Sequence, residues 1–70
     1  MLLTKLREEE GLTRARLGAL ARVHPARVGQ IENGRVIPYP PELGRLAEAL
    51  GWEGEPERLL DDTEVAHAEK

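Results

Sequence analysis

The residues of this sequence best suited to specific chemistry are Arg27 and Gln30, in the segment that follows His24-Pro25. A glutamine amide can bind N6 and N7 of adenine, and a guanidinium can bind guanine or a phosphate oxygen. On the solvent face of a helix, these two side chains would be suited to recognise a nucleic acid.

Catalytic and metal-binding chemistry is poorly represented in the sequence. The chain contains no Ser and no Cys, and no nucleophile–base pair is visible. His24 and His67 are not placed near each other or near carboxylates at ligand spacing, and the run Glu8-Glu9-Glu10 is typical of a solvated face. We therefore predict no enzymatic activity, no bound metal and no cofactor.

Length and charge limit the possibilities further. The chain of 70 residues has room for one domain with a thin core, and without cysteine no disulfide can reinforce it. Its net charge of −3 hides a polarised distribution, because residues 1–35 carry seven basic and four acidic side chains, whereas residues 36–70 carry three basic and nine acidic ones. This pattern fits a basic face with an acidic second half, or simply two solvated surfaces.

Apolar residues recur at helical spacing and predict an all-α fold, a compact five-helix domain over residues 1–60 with a polar tail over residues 61–70. The predicted helices span about residues 2–10, 14–21, 25–32 and 41–50, and a short fifth helix opens at Pro56. One apolar side chain or pair from each of the first four helices is expected to close a small core. These residues are Leu6, Leu17, Val28, Ile31 and Leu46.

Local signals mark the ends of these helices. Gly11 and Gly51 follow apolar faces and can end a helix in the left-handed conformation. Thr13 is expected to cap the second helix. Pro25 suits the first position of the third helix, and it holds His24 in the extended conformation that an N-cap needs.

The spacing between the second and third helices is the most informative feature. Only Arg22-Val23-His24 separates them, which is the turn length of a helix-turn-helix unit, whose second helix enters the DNA major groove. On spacing alone, a generic helical corner is an equal alternative.

The residue types around this turn carry a more specific signal. Gly11-Leu12-Thr13 is followed at a characteristic distance by Ile31-Glu32-Asn33-Gly34, and Leu46-Ala47-Glu48-Ala49-Leu50-Gly51 follows later. Over roughly residues 3–60 the series resembles the Cro and phage-repressor helix-turn-helix family, also called the xenobiotic-response-element family. The resemblance implies a lambda-repressor-like domain that binds DNA sequence-specifically, usually as a dimer. It also implies a structural ion pair between Arg7 and Glu32.

DNA contacts are expected from three places: the start of the second helix, the solvent face of the third helix and the loop after it. At the first and last places, the resemblance and the helix N-terminus imply phosphate contacts. Gly29 is expected to let the third helix lie close to the groove. The predicted DNA-binding residues are Thr13, Arg14, Ala26, Arg27, Gly29, Gln30, Asn33 and Arg35.

Three departures from the family pattern bear on this prediction. Arg22 stands where the family turn usually has Gly, so a left-handed residue there would be strained. Pro25 offers no hydrogen-bond donor, and Ala26 offers only a methyl group for contact with thymine. Direct base readout is therefore expected to be sparse, with a contribution from DNA shape.

The sequence as a whole favours a cytoplasmic transcriptional repressor that binds double-stranded DNA as a homodimer, with no membrane association. The dimer interface is expected in the C-terminal half, where Trp52, Leu59, Leu60 and Val65 supply apolar surface. For Trp52, a place in the core is an equal alternative. Two alternatives stay open: an antitoxin that binds DNA and a toxin, and a protein-interaction module that has lost DNA binding. The acidic C-terminal half would then contact a protein partner.

Overall fold

The structure is a computed structural model that describes residues 1–61. It contains four α-helices and one 3₁₀ helix: α1 (Leu2–Glu9), α2 (Arg14–Ala21), α3 (Pro25–Glu32), α4 (Pro40–Leu50) and the 3₁₀ helix (Pro56–Leu60). The all-helical fold is thus confirmed over this range. The predicted tail lies outside the described residues, apart from Asp61.

The fifth element differs from the expected α-helix. Its five residues are held by i→i+3 hydrogen bonds, from the Arg58 amide to the Glu55 carbonyl and from the Asp61 amide to the Arg58 carbonyl, both 3.0 Å. The 3₁₀ geometry is typical of such short segments. Helix α4 also begins one residue earlier than predicted, at Pro40.

The predicted helix ends are confirmed in detail. Gly11 and Gly51 are left-handed, with φ of +71° and +69°. The Thr13 hydroxyl accepts a hydrogen bond from the Arg16 amide at 3.0 Å, which satisfies an otherwise unpaired donor at the start of α2. The Nδ1 atom of His24 accepts one from the Ala26 amide at 3.1 Å and caps α3.

The core is assembled from all five helical elements. Leu17, Val28, Ile31 and Leu46 are fully buried, as predicted. Leu6 is only partly buried but packs against this core, and Leu3 and Leu59 are additional fully buried leucines. The reason is that α1 packs on the 3₁₀ helix, and the Leu2 amide donates to the Asp61 carbonyl at 2.8 Å.

The packing of the C-terminal elements removes Leu59 from the predicted dimer interface, which itself stays a prediction. Leu59 belongs to the core, and Trp52 is half-buried with its indole N–H donating to the Glu55 carbonyl at 3.0 Å. Leu60 is partly buried against the core, and Val65 lies outside the described residues. Within residues 1–61, the exposed large apolar side chains are Leu20, Ile37 and Tyr39.

The turn between α2 and α3 is strained and closely packed. Arg22 is left-handed (φ 59°, ψ 44°), which costs a non-glycine residue about 1–2 kcal/mol. Arg45 of α4 stabilises the end of α2, because its guanidinium donates to the Ala21 carbonyl at 2.7 Å. At Gly18 a β-carbon would lie less than 3.0 Å from the Val23 carbonyl oxygen, so this site needs glycine.

No helix within residues 1–61 is long and apolar enough to cross a membrane.

Candidate nucleic-acid interface

The two sides of α3 have different surroundings. Val28 and Ile31 anchor one side in the core, whereas Ala26 and Gln30 lie on the exposed side. Since the turn from residue 22 to residue 24 holds α2 against α3, the capped N-terminus of α2 belongs to the same region of the molecule. The fold therefore leaves one face of α3 open to a partner.

The structure separates the predicted DNA-binding residues into three groups. Arg27 is partly buried, and Gly29 is buried rather than on the solvent face. A β-carbon at Gly29 would lie 3.3 Å from Nη1 of Arg14, so the Arg14 guanidinium covers this glycine. The other six residues are exposed: Thr13, Arg14, Ala26, Gln30, Asn33 and Arg35.

At the C-terminal end of α3, Arg7, Arg14 and Glu32 form a set that we call the Glu32 cluster. Arg7 Nε donates to Glu32 Oε2 at 2.7 Å, and Arg7 Nη2 donates to Oε1 at 3.3 Å. Arg14 Nε donates to the same Oε1 at 2.9 Å. The predicted Arg7–Glu32 pair is therefore present, with a second arginine added to it.

Burial within the Glu32 cluster is graded. The Glu32 side chain is 1% exposed, that of Arg7 12% and that of Arg14 45%. The hydrogen bond to Glu32 raises the pKa of Arg7 above its ordinary value. Arg7 also donates to the Leu12 carbonyl at 2.8 Å and so links α1, the loop before α2 and α3. The three side chains of the cluster carry a net charge of +1, and the Glu8 carboxylate lies 3.9 Å from Arg7 Nη2. The Arg14 side of the cluster reaches solvent.

Near the N-terminal end of α3, Arg27, Tyr39 and Glu42 form the Glu42 cluster. Arg27 Nε donates to Glu42 Oε2 at 2.7 Å, and Nη2 donates to Oε1 at 3.0 Å. The Tyr39 amide donates to Oε1 at 2.9 Å, and the Arg27 guanidinium carbon lies 5.3 Å from the centre of the Tyr39 ring. This is a bidentate ion pair with a cation–π contact on one face.

The ionisation of the Glu42 cluster follows from these contacts. Hydrogen bonding to Arg27 lowers the pKa of Glu42 below its ordinary value, and the same bond raises the pKa of Arg27. Both groups are therefore charged at neutral pH, and their charges cancel. Arg27 thus differs from Arg35, which forms no ion pair within residues 1–61.

Sequence reasoning missed two functional neighbours, Glu42 and Arg45. Glu42 occupies the third position of α4 and accepts from the Tyr39 amide, and an acidic residue three positions after a helix start is a recognisable local signal. Its pairing with Arg27, 15 residues away, has no local signal. The same is true of Arg45 and the Ala21 carbonyl, 24 residues apart.

Two short helices joined by a tight turn, with an open face on the second helix and a basic first half, define a helix-turn-helix protein. The chain belongs to the helix-turn-helix domain family of the Cro and repressor type, whose family profile matches residues 1–60. This confirms the resemblance seen in the sequence. Searches of the curated proteins and of the solved structures returned no significant match.

Proposed function

We propose that this protein is a sequence-specific transcriptional repressor that inserts α3 into the DNA major groove. The observation that carries the proposal is the exposed side of α3, where Gln30 reaches solvent beside the capped N-terminus of α2 in a chain of the helix-turn-helix family. Such a domain acts by binding rather than by catalysis. Its place of action is the compartment that holds its DNA, which we take to be the cytoplasm.

Phosphate contacts are assigned to both ends of the helix pair. The amides at the start of α2 favour an anion, and Arg14 beside them uses only Nε for Glu32, so its Nη groups carry no hydrogen bond within the described chain. Asn33 and Arg35 lie exposed after α3 and contact the backbone on the other side. Gly29 contributes indirectly, because it gives Arg14 room to lie across α3.

Base contacts are assigned to three residues of α3. Gln30 is exposed and suits adenine, whereas Ala26 presents a methyl group to thymine. Arg27 is the third, with its guanidinium paired to Glu42. A single recognition helix reads only a few base pairs, so a two-fold dimer with recognition helices about 34 Å apart would supply the remaining specificity.

The test is selection of bound duplexes from a random pool at low salt, followed by mobility shifts with variants. Arg14→Ala is expected to weaken binding to all sequences alike, whereas Gln30→Ala should relax the preference at one base pair. Glu48→Ala, on an exposed part of α4, serves as the control. A selected motif without an inverted repeat would contradict the dimer, and failure to bind any duplex would contradict the function.

A protein partner is the second candidate. It is favoured by the exposed apolar side chains of Leu20, Ile37 and Tyr39 together with the acidic second half of the chain. Under this reading the protein is an antitoxin that binds both DNA and a toxin, or an interaction module without DNA binding. The duplex selection above separates these two, because only the antitoxin retains a DNA motif.

A further inference from the structure

The Arg27 guanidinium is held in one orientation by two neighbouring side chains. Its guanidinium is fixed at one edge by the Glu42 carboxylate, at 2.7 and 3.0 Å, and on one face by the Tyr39 ring. Glu42 is itself fixed by the Tyr39 amide at 2.9 Å and by its place in the first turn of α4. Three elements, α3, the loop before α4 and α4 itself, therefore set the orientation of one planar group.

The choice of edge determines what remains available for binding. A guanidinium has five N–H donors, and Glu42 takes Nε–H and one hydrogen of Nη2. The end formed by Nη1 and Nη2 keeps two parallel donors, with no other hydrogen bond from them within residues 1–61. Two parallel donors of this kind match the O6 and N7 acceptors of guanine in the major groove.

The charge of the Arg27–Glu42 pair also favours base recognition over phosphate binding. A phosphate is bound chiefly through an excess positive charge, and the charge of Arg27 is cancelled by Glu42. The paired guanidinium keeps its directed donors and loses most of its attraction for the DNA backbone. Its position in the first turn of α3 is where recognition helices of this class meet base edges.

We infer that Arg27 recognises one guanine through its Nη1 and Nη2 donors, and that Glu42 acts as the positioning residue that presents this end of the guanidinium to the base. The inference rests on the proposed DNA-binding function and adds to it a specificity-determining pair. The Tyr39 ring packs against one face of the Arg27 guanidinium and helps to fix its orientation.

The experiment compares the full-length protein with Arg27→Ala and Glu42→Gln in duplex selection, with Glu48→Gln as the matched control on the same helix. Alanine removes both donors, and because the base preference is a ratio of two affinities, a uniform loss of binding does not change it. We expect the wild type and Glu48→Gln to select a guanine at one position of each half-site. Arg27→Ala should lose this preference by about 5- to 150-fold, the range of one bidentate contact, and Glu42→Gln should weaken it.

Modified bases give a readout that loss of folding would not imitate. At the selected guanine, 7-deazaguanine removes the N7 acceptor, whereas inosine keeps N7 and O6 and lacks only the minor-groove amino group. The wild type is expected to lose affinity for the 7-deazaguanine duplex and to bind the inosine duplex normally. Arg27→Ala should not distinguish the 7-deazaguanine duplex from the parent.

Three outcomes of this experiment would contradict the inference. If Glu42→Gln keeps the full guanine preference of the wild type, Glu42 does not position Arg27 and the inference is wrong. An unchanged guanine preference in Arg27→Ala would also overturn it, while DNA binding itself would stand. If the wild type binds no duplex, the proposed function fails and the inference fails with it. Thermal melts of each variant confirm that it is folded.

Discussion

The Glu32 cluster and the Glu42 cluster hold the two ends of the same helix, α3, in contrasting ways. Glu32 is 1% exposed and receives hydrogen bonds from two arginines, whereas Glu42 is 15% exposed and receives them from one arginine and one backbone amide. The first cluster retains a positive charge and the second is neutral. Similar residue types therefore serve two purposes: a buried link between helices, and a surface group held in a fixed orientation.

The physical reason lies in the desolvation of the carboxylate. A buried carboxylate must be compensated, and removal of its partner leaves an expensive isolated charge. A carboxylate close to the surface can recover hydration, so its ion pair adds little to stability. The two clusters should therefore respond very differently to the same kind of substitution.

The largest effect is expected for Arg7→Ala. This variant removes two hydrogen bonds to Glu32 and one to the Leu12 carbonyl, and it should lower the free energy of unfolding by about 3 kcal/mol, the lower end for a broken buried pair because Arg14 still binds Glu32. Chemical denaturation measures the change. Lys5→Ala, which breaks the exposed Lys5–Glu9 pair of the same helix, should cost less than about 0.5 kcal/mol. A similar small loss in both variants would show that Glu32 is effectively hydrated.

The next effect concerns Gly29 and tests how closely Arg14 lies on α3. At Gly44 nothing lies within 4 Å of an added β-carbon, so Gly44→Ala should stabilise the protein by up to about 1 kcal/mol through helix propensity. Gly29→Ala should gain less, because its β-carbon displaces the Arg14 guanidinium. Thermal melts compare the two variants. Equal gains would mean that Arg14 does not depend on the glycine.

The third prediction separates the clusters by charge. Arg14→Ala is expected to reduce the slope of log affinity against log salt by about 0.9 per subunit, which corresponds to about a threefold smaller loss of affinity between 50 and 200 mM salt. The double variant Arg27→Ala with Glu42→Gln should leave the slope nearly unchanged, because it removes both charges of a neutral pair together. Binding titrations over this salt range provide the measurement. Equal changes of slope in the two variants would contradict the distinction.

The smallest effect is the dependence of stability on pH at Glu42. Since the pKa of Glu42 is lowered in the folded protein, its contribution is fully present above the ordinary glutamate value of about 4.3 and is lost as the pH falls through the lower folded value. The stability difference between wild type and Glu42→Gln should therefore shrink on acidification from pH 7 to pH 3. Denaturation curves across this range measure it. A difference that grows on acidification would have the wrong sign.

These predictions depend on features that the sequence reveals to different extents. The start of α2 and α3 and the ends of α1 and α4 follow from local chemistry: a threonine hydroxyl, a proline ring and left-handed glycines act on backbone groups a few residues away. The Arg7–Glu32 pair is nonlocal, and it was expected only because the resemblance to a known family implied it.

For Arg27 and Gly29, neither local chemistry nor the family resemblance indicated the contacts that the structure shows. Arg27 was expected to bind DNA directly, and its partner Glu42 is 15 residues away on a different helix. Gly29 was expected on the solvent face, yet the Arg14 side chain covers it. In both cases the sequence shows which residue type is present, but the partner depends on how two helices cross.

The sequence by itself determined the four α-helices, the caps of α2 and α3, the three-residue turn and the family, because each of these depends on interactions between near neighbours or on a recognisable series of residues. Only the tertiary structure decided that Leu3 and Leu59 complete the core, that Arg14 joins Glu32 and that Glu42 orients Arg27. The reason is geometric: a side chain several ångströms long can choose among several partners, and only the packing of whole helices brings one of them within hydrogen-bonding distance.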